Sequence, residues 1–573
     1  MGIALLAGGL AINAATPDWS AKLPENIKWQ TVTGVGTLLV GTDKAIYSLD
    51  PDSGEVMWKR EEFEKSAPFN VREIEGTPIL FINDYSSNFN PKTKLYAVNL
   101  LTGEIIWETP QEQGYPLGAY PFNEQGIAVV VSQGYTDKEG TGVFLTAYET
   151  ATGKQVWRVK HSKKGAFPLH PADNSGTFNV KMDLSGHQEP VIVGDSLYVP
   201  FSGVHCYDVK TGALKWEKEF KTVPKEFKRA SAPLVFDGDT VYAPGVNKVY
   251  ALDKNTGALK WETKKVYSGT ITQLLVSGNK LLVRLGGNFL AWGAKEWTLE
   301  KPLAVQALDK NSGEQIWEYK DLKDGITNMQ LVEGANAVFV CDAQNLIGID
   351  LDSSGKVKEA FKVKLEFKRK LGGGEAAAKI GLGALGGISG LVGASAKAIS
   401  GKDRLDVPVA IILMGKDQFV VRGRQHILSF DGVAKDIKWS TQYAAPGSSG
   451  FEMAIMTTLT AFSAVSYNAG YASGTMSLDS ASGGIKNSLA SYNKFMNKRY
   501  SATKSGAQRT YILTTVEEGK KKGAGLMAID MSTGDSVADV LLKDKEPEYA
   551  VDDVSGRLYY VNGKKELQAF TLK

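Results

Sequence analysis

One pattern returns six times along this chain: an acidic or amide residue, a glycine four positions later, and a tryptophan four beyond that. The triplets are Asp50/Gly54/Trp58, Asn99/Gly103/Trp107, Glu149/Gly153/Trp157, Asp208/Gly212/Trp216, Asp253/Gly257/Trp261 and Asp309/Gly313/Trp317. They recur at spacings of 45 to 59 residues, which suits one supersecondary unit stacked in an array. Each position has a mechanical reason. Apolar residues such as Tyr250 and Leu252 alternate before the triplet, as in a half-buried strand. The Asp or Asn ending that strand accepts hydrogen bonds from the N–H groups of the turn behind it. The glycine supplies the left-handed turn residue, with Ser or Thr beside it. A second strand then ends in tryptophan, whose large apolar area docks on a neighbouring unit. Two strands cannot bury their own faces, so the units must stack.

Weaker copies extend the count. Residues 346–357 keep Asp350 and Gly355 without the tryptophan, and 427–439 keep Asp431 and Trp439 without the glycine. Residues 526–538 keep Asp530 and Gly534. The last residues, 556–573, supply two more strands but no closing one, whereas Asp18-Trp19 opens a strand-like segment with no partner before it. The N-terminal strand is therefore expected to complete the last unit and remove an open sheet edge. The reading is an all-β propeller of four-stranded blades with up to ten units, its ring closed by the N-terminal strand, carrying a helical insertion.

The A-x-D-x-x-T-G-x-x-x-W pattern, as it stands in 251–261, resembles the repeats of the pyrroloquinoline-quinone (quinoprotein-type) propeller family. That family includes quinoprotein dehydrogenases and non-catalytic members such as the propeller lipoprotein of the outer-membrane β-barrel assembly machinery. The resemblance covers 45–357 well and 408–573 more weakly, and it implies eight blades. It also frames an enzymatic alternative, oxidation of an alcohol or sugar by pyrroloquinoline quinone held with calcium. Alcohol dehydrogenases of the family carry adjacent cysteines, and here Cys206 and Cys341 stand far apart. Sugar-oxidising members do without that pair. The repeat aspartates are accounted for as turn formers, so no catalytic residue, metal ligand or cofactor is assigned.

Composition narrows the remaining classes. A net charge of +3 gives no field for nucleic acid, and two cysteines with five histidines leave little material for metal chemistry. An apolar run from Ile3 to Ile12, followed by Ala14 and Ala15, resembles a signal peptide over 1–15 but lacks its positive start; an ordinary apolar start remains the alternative. A periplasmic or otherwise extracytoplasmic location is expected.

Two motifs are declined. Gly381, Gly383 and Gly386 match a dinucleotide fingerprint, but no strand precedes them. Asp350, Asp352 and Ser354 begin like a calcium loop, yet the position of its bidentate acid is Phe361. What the repeat does not explain is the sequence that interrupts it. Blades are expected over 16–366, 408–443 and 509–573, with a Gly/Ala-rich helical insertion at 367–407 and a second insertion at 444–508. Residues 380–396 carry no charge and hold six glycines at small-xxx-small spacings, behind the basic run Lys368-Arg369-Lys370. In the second, Ile485, Leu489, Tyr492 and Met496 share one helical face, and nine basic residues between Lys486 and Lys522 face only Glu517 and Glu518. The insertions either cap the propeller or offer a surface to a protein partner or a membrane, through 371–401 and the basic stretch 486–522. The expected function is a non-catalytic scaffold for protein–protein interaction at the cell envelope.

Overall fold

The computed structural model describes residues 16–162, 189–220, 232–365, 408–442 and 509–572, apart from short stretches within those ranges. The candidate leader 1–15, the insertion 371–401 with its glycine fingerprint, and the helix expected over 485–496 lie outside the described residues.

Within them the chain is almost wholly strand, folded as ten antiparallel sheets. Blade 1 pairs Ile27–Val32, Leu38–Thr42, Ile46–Leu49 and Val56–Arg60 in chain order, from the first strand to the outer one. The same order repeats in blades 2 to 8, over 71–108, 115–162, 191–219, 235–262, 271–319, 330–364 and 410–442. Blade 9 shows three strands among the described residues: Arg509–Glu518, Lys521–Asp530 and Ser536–Leu541. Blade 10 holds Tyr549–Asp552, Arg557–Asn562 and Glu566–Thr571, and its outer strand is Trp19–Lys22 from the other end of the chain. Trp19 lies opposite Ala569 and Lys22 opposite Glu566, so the ring closes as the orphan N-terminal strand led us to expect. The eight blades implied by the family resemblance become ten, because the weak copies around Asp350, Asp431 and Asp530 each build a blade.

The core is distributed rather than central. Ten buried apolar clusters occupy the ten junctions; one joins Tyr120, Val129 and Leu145 of blade 3 to Leu197, Val199 and Tyr207 of blade 4. Every blade is a two-faced sheet whose stability comes from its neighbours, as expected of a repeat array.

The repeat residues fasten these junctions. At most junctions the indole of the outer-strand tryptophan lies against the turn glycine of the next blade: Trp58 on Gly103, Trp107 on Gly153, Trp157 on Gly212, Trp216 on Gly257 and Trp261 on Gly313. Trp19 on Gly54 and Trp439 on Gly534 make the same contact, for seven in all. The indole N–H groups donate to the carbonyl just after the turn's first residue, as from Trp107 to Thr150 (2.8 Å) and from Trp157 to Val209 (2.8 Å). This satisfies a buried donor and fixes the angle between blades.

Junction 6/7 departs from the pattern. The blade 7 turn carries one extra residue between Asp350 and Gly355, and a side chain added at Gly355 would meet nothing within 4 Å. Trp317 is fully buried, but its N–H finds no hydrogen-bond partner among the described residues, and the Gly355 N–H donates to the Ile316 carbonyl (3.0 Å) instead. An amide clamp works at the first strands: the Gln273 side chain accepts from the Met329 N–H (2.7 Å) and donates to its carbonyl (3.1 Å). Asn328 clamps Ile411 of blade 8 in the same way, at 2.9 Å in both directions. At that 7/8 junction Phe361 stands where the tryptophan would, packed on Phe430 with ring centres 4.7 Å apart. Lys435 takes the place of the turn glycine, with φ at 58°.

Candidate functional site

Antiparallel order sorts the loops onto two faces. The turns joining first to second strand, and third to outer strand, lie at one end of every blade; the hairpins joining second to third strand, and the crossings to the next blade, lie at the other.

The first face is short and locked. Asp253 Oδ1 accepts from the N–H groups of Asn255 (3.0 Å) and Thr256 (2.9 Å), and from the Thr256 hydroxyl (2.9 Å). Asp50, Asp208, Asp309 and Asp431 accept from two turn N–H groups in the same way, and Asn99 does so through its amide oxygen. Glu149 has a longer arm and takes the Thr152 hydroxyl (2.6 Å). The threonine hydroxyls hold Asp208 and Asp253 below the usual carboxylate range. These carboxylates are engaged in holding their own turns. An open pocket of about 560 Å³ lies on this face beside the irregular 6/7 junction, lined by Ser277, Leu331, Val332, Glu333, Gly334, Asn336 and Leu351.

The second face is elaborated. In blade 5 the hairpin strands are Thr240–Pro244 and Val249–Asp253; in blade 6 they run Lys280–Leu290 and Trp297–Asp309. Six further residues at about 3.3 Å each carry the blade 6 hairpin roughly 20 Å beyond its neighbour. Blades 2, 3 and 9 extend theirs likewise, with pairing that continues to Ser86–Lys92, Thr136–Gly140 and Glu518–Lys521. The described chain leaves blade 3 at Ser162 and blade 7 at Leu365 on this face and re-enters on the same side at Glu189 and Pro408; it leaves blade 8 here at Gln442 and is next described at Arg509, on the tight face. On the first strands lining the axis, Arg72 of blade 2 lies over the Tyr120 ring of blade 3 (5.3 Å) and pairs with Glu189 at the entry to blade 4 (3.4 Å).

Among the described residues no three or more His, Cys, Asp or Glu side chains gather into one group. Cys206 and Cys341 are buried in blades 4 and 7, and burial pushes both thiols up, away from the reactive thiolate. No described helix is long and apolar enough to cross a membrane. Of the eighteen repeat residues, five tryptophans meet the turn glycine of the next blade, the six acidic or amide residues stay within their own turns, Gly54 meets Trp19, and Trp317 meets no turn glycine. What the sequence did not reveal is the lengthened hairpins, which carry no special residue: their signal is only the distance between successive strand patterns.

The fold and its docked indoles define a propeller of the pyrroloquinoline-quinone-like type. The sequence matches the family model described as outer membrane protein assembly factor BamB over residues 10–115, 43–243 and 202–361, well over half of the chain, and the chain belongs to that family. No curated protein matches it significantly in sequence. Among solved structures, BamB from Moraxella catarrhalis is 12% identical with a TM-score of 0.35, covering 73% of this chain and 97% of its own. The quinohemoprotein alcohol dehydrogenase from Comamonas testosteroni is 14% identical with a TM-score of 0.31, covering 56% of this chain and 62% of its own. Likenesses at this level say nothing about activity.

Proposed function

We propose that this chain is a non-catalytic, extracytoplasmic propeller scaffold that binds a protein partner through its elaborated face. The observation that carries the reading is the asymmetry between the faces. One face spends its polar side chains on its own turns; the other raises four hairpins and emits the long crossings, and such loops on a rigid frame are where binding surfaces reside. Family membership supports the scaffold, and the repeat carboxylates are taken up by their own turns. The envelope location rests on the family and on the apolar start at Ile3–Ile12. The test is affinity capture from native envelope with wild-type protein and with the blade 6 hairpin cut back from Gly287–Glu300 to a two-residue turn. Loss of a specific partner with the rest of the ring intact is expected. Unchanged capture would overturn the assignment of the face. Turnover of an alcohol or sugar with added pyrroloquinoline quinone and calcium would overturn the non-catalytic reading.

A further inference from the structure

Where an indole docks, its N–H takes the carbonyl just after the first residue of the next turn: Pro51 for Trp19 (3.0 Å), Lys254 for Trp216 (3.1 Å), Lys310 for Trp261 (3.0 Å) and Met531 for Trp439 (3.2 Å). At junction 6/7 the corresponding carbonyl belongs to Leu351, and it has lost that donor. The blade 7 turn is one residue longer, and the buried Trp317 N–H stays unpartnered among the described residues. In a regular turn the glycine N–H bonds back to the first residue, as from Gly257 to the Asp253 carbonyl (2.8 Å), whereas Gly355 turns to Ile316. Among the described residues no other group donates to the Leu351 carbonyl.

Leu351 lines the open pocket of about 560 Å³ on the tight face, and the turns around it, 277–280, 330–337, 350–358 and 412–418, are described throughout. Leu331 and Leu351 belong to the same buried cluster as Trp317, so the base of the pocket is apolar. Asn336 braces the wall: its carbonyl accepts from the Leu351 N–H (3.0 Å), and its side-chain amide donates to Asp352 (2.7 Å). Glu333 stands at the rim, with its carboxylate 3.4 Å from the Lys416 ammonium. Those two side chains are 70% and 83% exposed, and an ion pair so deep in water holds weakly and exchanges readily. The pocket therefore combines an apolar base, an unclaimed carbonyl and a carboxylate whose present partner is easily displaced.

We propose that this pocket docks an arginine side chain of a protein partner. The aliphatic stem of arginine lies on the apolar base of Leu331 and Leu351 while its head stays at the rim. The planar guanidinium carries five donors in a fixed fork, so one group serves the Leu351 carbonyl and the Glu333 carboxylate together. Lysine places a single, strongly hydrated ammonium there and satisfies the pair less well. The extra residue before Gly355 thus has a use: it withholds the Trp317 indole from Leu351 and leaves that acceptor for a visitor. The site lies on the face opposite the long hairpins and stands whether or not those hairpins bind a partner.

The test titrates the full chain with arginine capped as its N-acetyl amide, which imitates a residue within a peptide, and follows calorimetry and hydrogen exchange. Binding with Kd on the order of 1 mM is expected for a ligand of this size, with added protection at 331–337 and 350–356 and none at 240–262. Capped citrulline, of the same shape without the charge, should bind about tenfold more weakly or worse. E333Q, at an exposed position that leaves folding undisturbed, should weaken the arginine derivative by about threefold or more. Deletion of Ser354 restores the regular turn length, returns the Leu351 carbonyl to the indole and should weaken binding as well. Equal binding of citrulline and arginine, unchanged affinity in E333Q, or no protection at the two turns would each overturn the site, even if the deletion variant failed to fold. Free arginine, whose own carboxylate meets Glu333, should bind less tightly than the capped form; the reverse order would make this a site for an amino acid and overturn the protein partner.

Discussion

Replacing Gly103 with alanine tests how the blades are held together. Gly103 has φ at 73°, a region that costs an L-residue about 1–2 kcal/mol. A Cβ there would stand 2.7 Å from Trp58 Cγ and 2.8 Å from its Cδ2, whereas carbon atoms rest at about 3.5–4.0 Å. The indole cannot simply retreat, because it is buried and its N–H is bound to the Leu100 carbonyl at 2.8 Å. Overpacking of this kind costs about 1–3 kcal/mol, and the smaller entropy loss of alanine returns about 0.5–1. The expected net loss is about 2–4 kcal/mol, felt at junction 1/2. A ten-bladed ring does not unfold in one step, so the reading should come from native-state exchange of 92–108 rather than a global melt. In a Trp58→Phe background the smaller ring should remove about 1–2 kcal/mol of the penalty, within the range of coupling between touching residues. A cost below about 1 kcal/mol, or the same cost in both backgrounds, would refute the idea that indole and turn specify one another.

The protein carries a natural version of that experiment at Phe361 and Lys435, and Lys435→Gly should stabilise blade 8 by about 0.5–1 kcal/mol through release of its positive φ, seen as slower exchange of 426–442. Burial pushes the Glu548 carboxyl up to about 7. Its neutral form is the one the fold tolerates, so its contribution is full below the unfolded value of 4.5 and is lost as pH rises through 7. Glu548→Gln should therefore raise Tm at pH 8 and leave it unchanged near pH 4; an equal shift at both pH values would point to packing rather than charge.

Much of the frame was readable because the repeat records local mechanics. Asp253, Gly257 and Trp261 are each required by a turn or a contact of fixed geometry, and Trp19 declared itself by lacking a partner strand. Where other residues perform the same task the text goes silent. Lys435 occupies a glycine's place because Phe361 has replaced the indole, a compensation between residues 74 apart that no window along the chain reveals. Gln273 and Asn328 look like ordinary strand polar residues until the next blade's backbone is set beside them. The extra residue before Gly355 was visible, but its effect on Trp317 depends on a neighbouring sheet. The binding face was least legible of all, since an extended hairpin is a matter of length and topology rather than of any side chain that chemistry would mark.

The strand that closes the ring also sets a schedule. Trp19–Lys22 is made before every other strand described, yet its partner Glu566–Thr571 is made last, so nine blades can assemble while the first segment waits unpaired. Joining chain ends more than 500 residues apart would cost an unstructured polymer about 5–6 kcal/mol in closure entropy. The stacked blades shoulder nearly all of that beforehand by curving back upon themselves. Completion is thus a late and all-or-nothing event: an unfinished or truncated chain presents the bare edge of blade 10 on one side and an unclaimed tryptophan strand on the other. The fold carries its own signal of being complete, in the disappearance of two sticky edges at a single step.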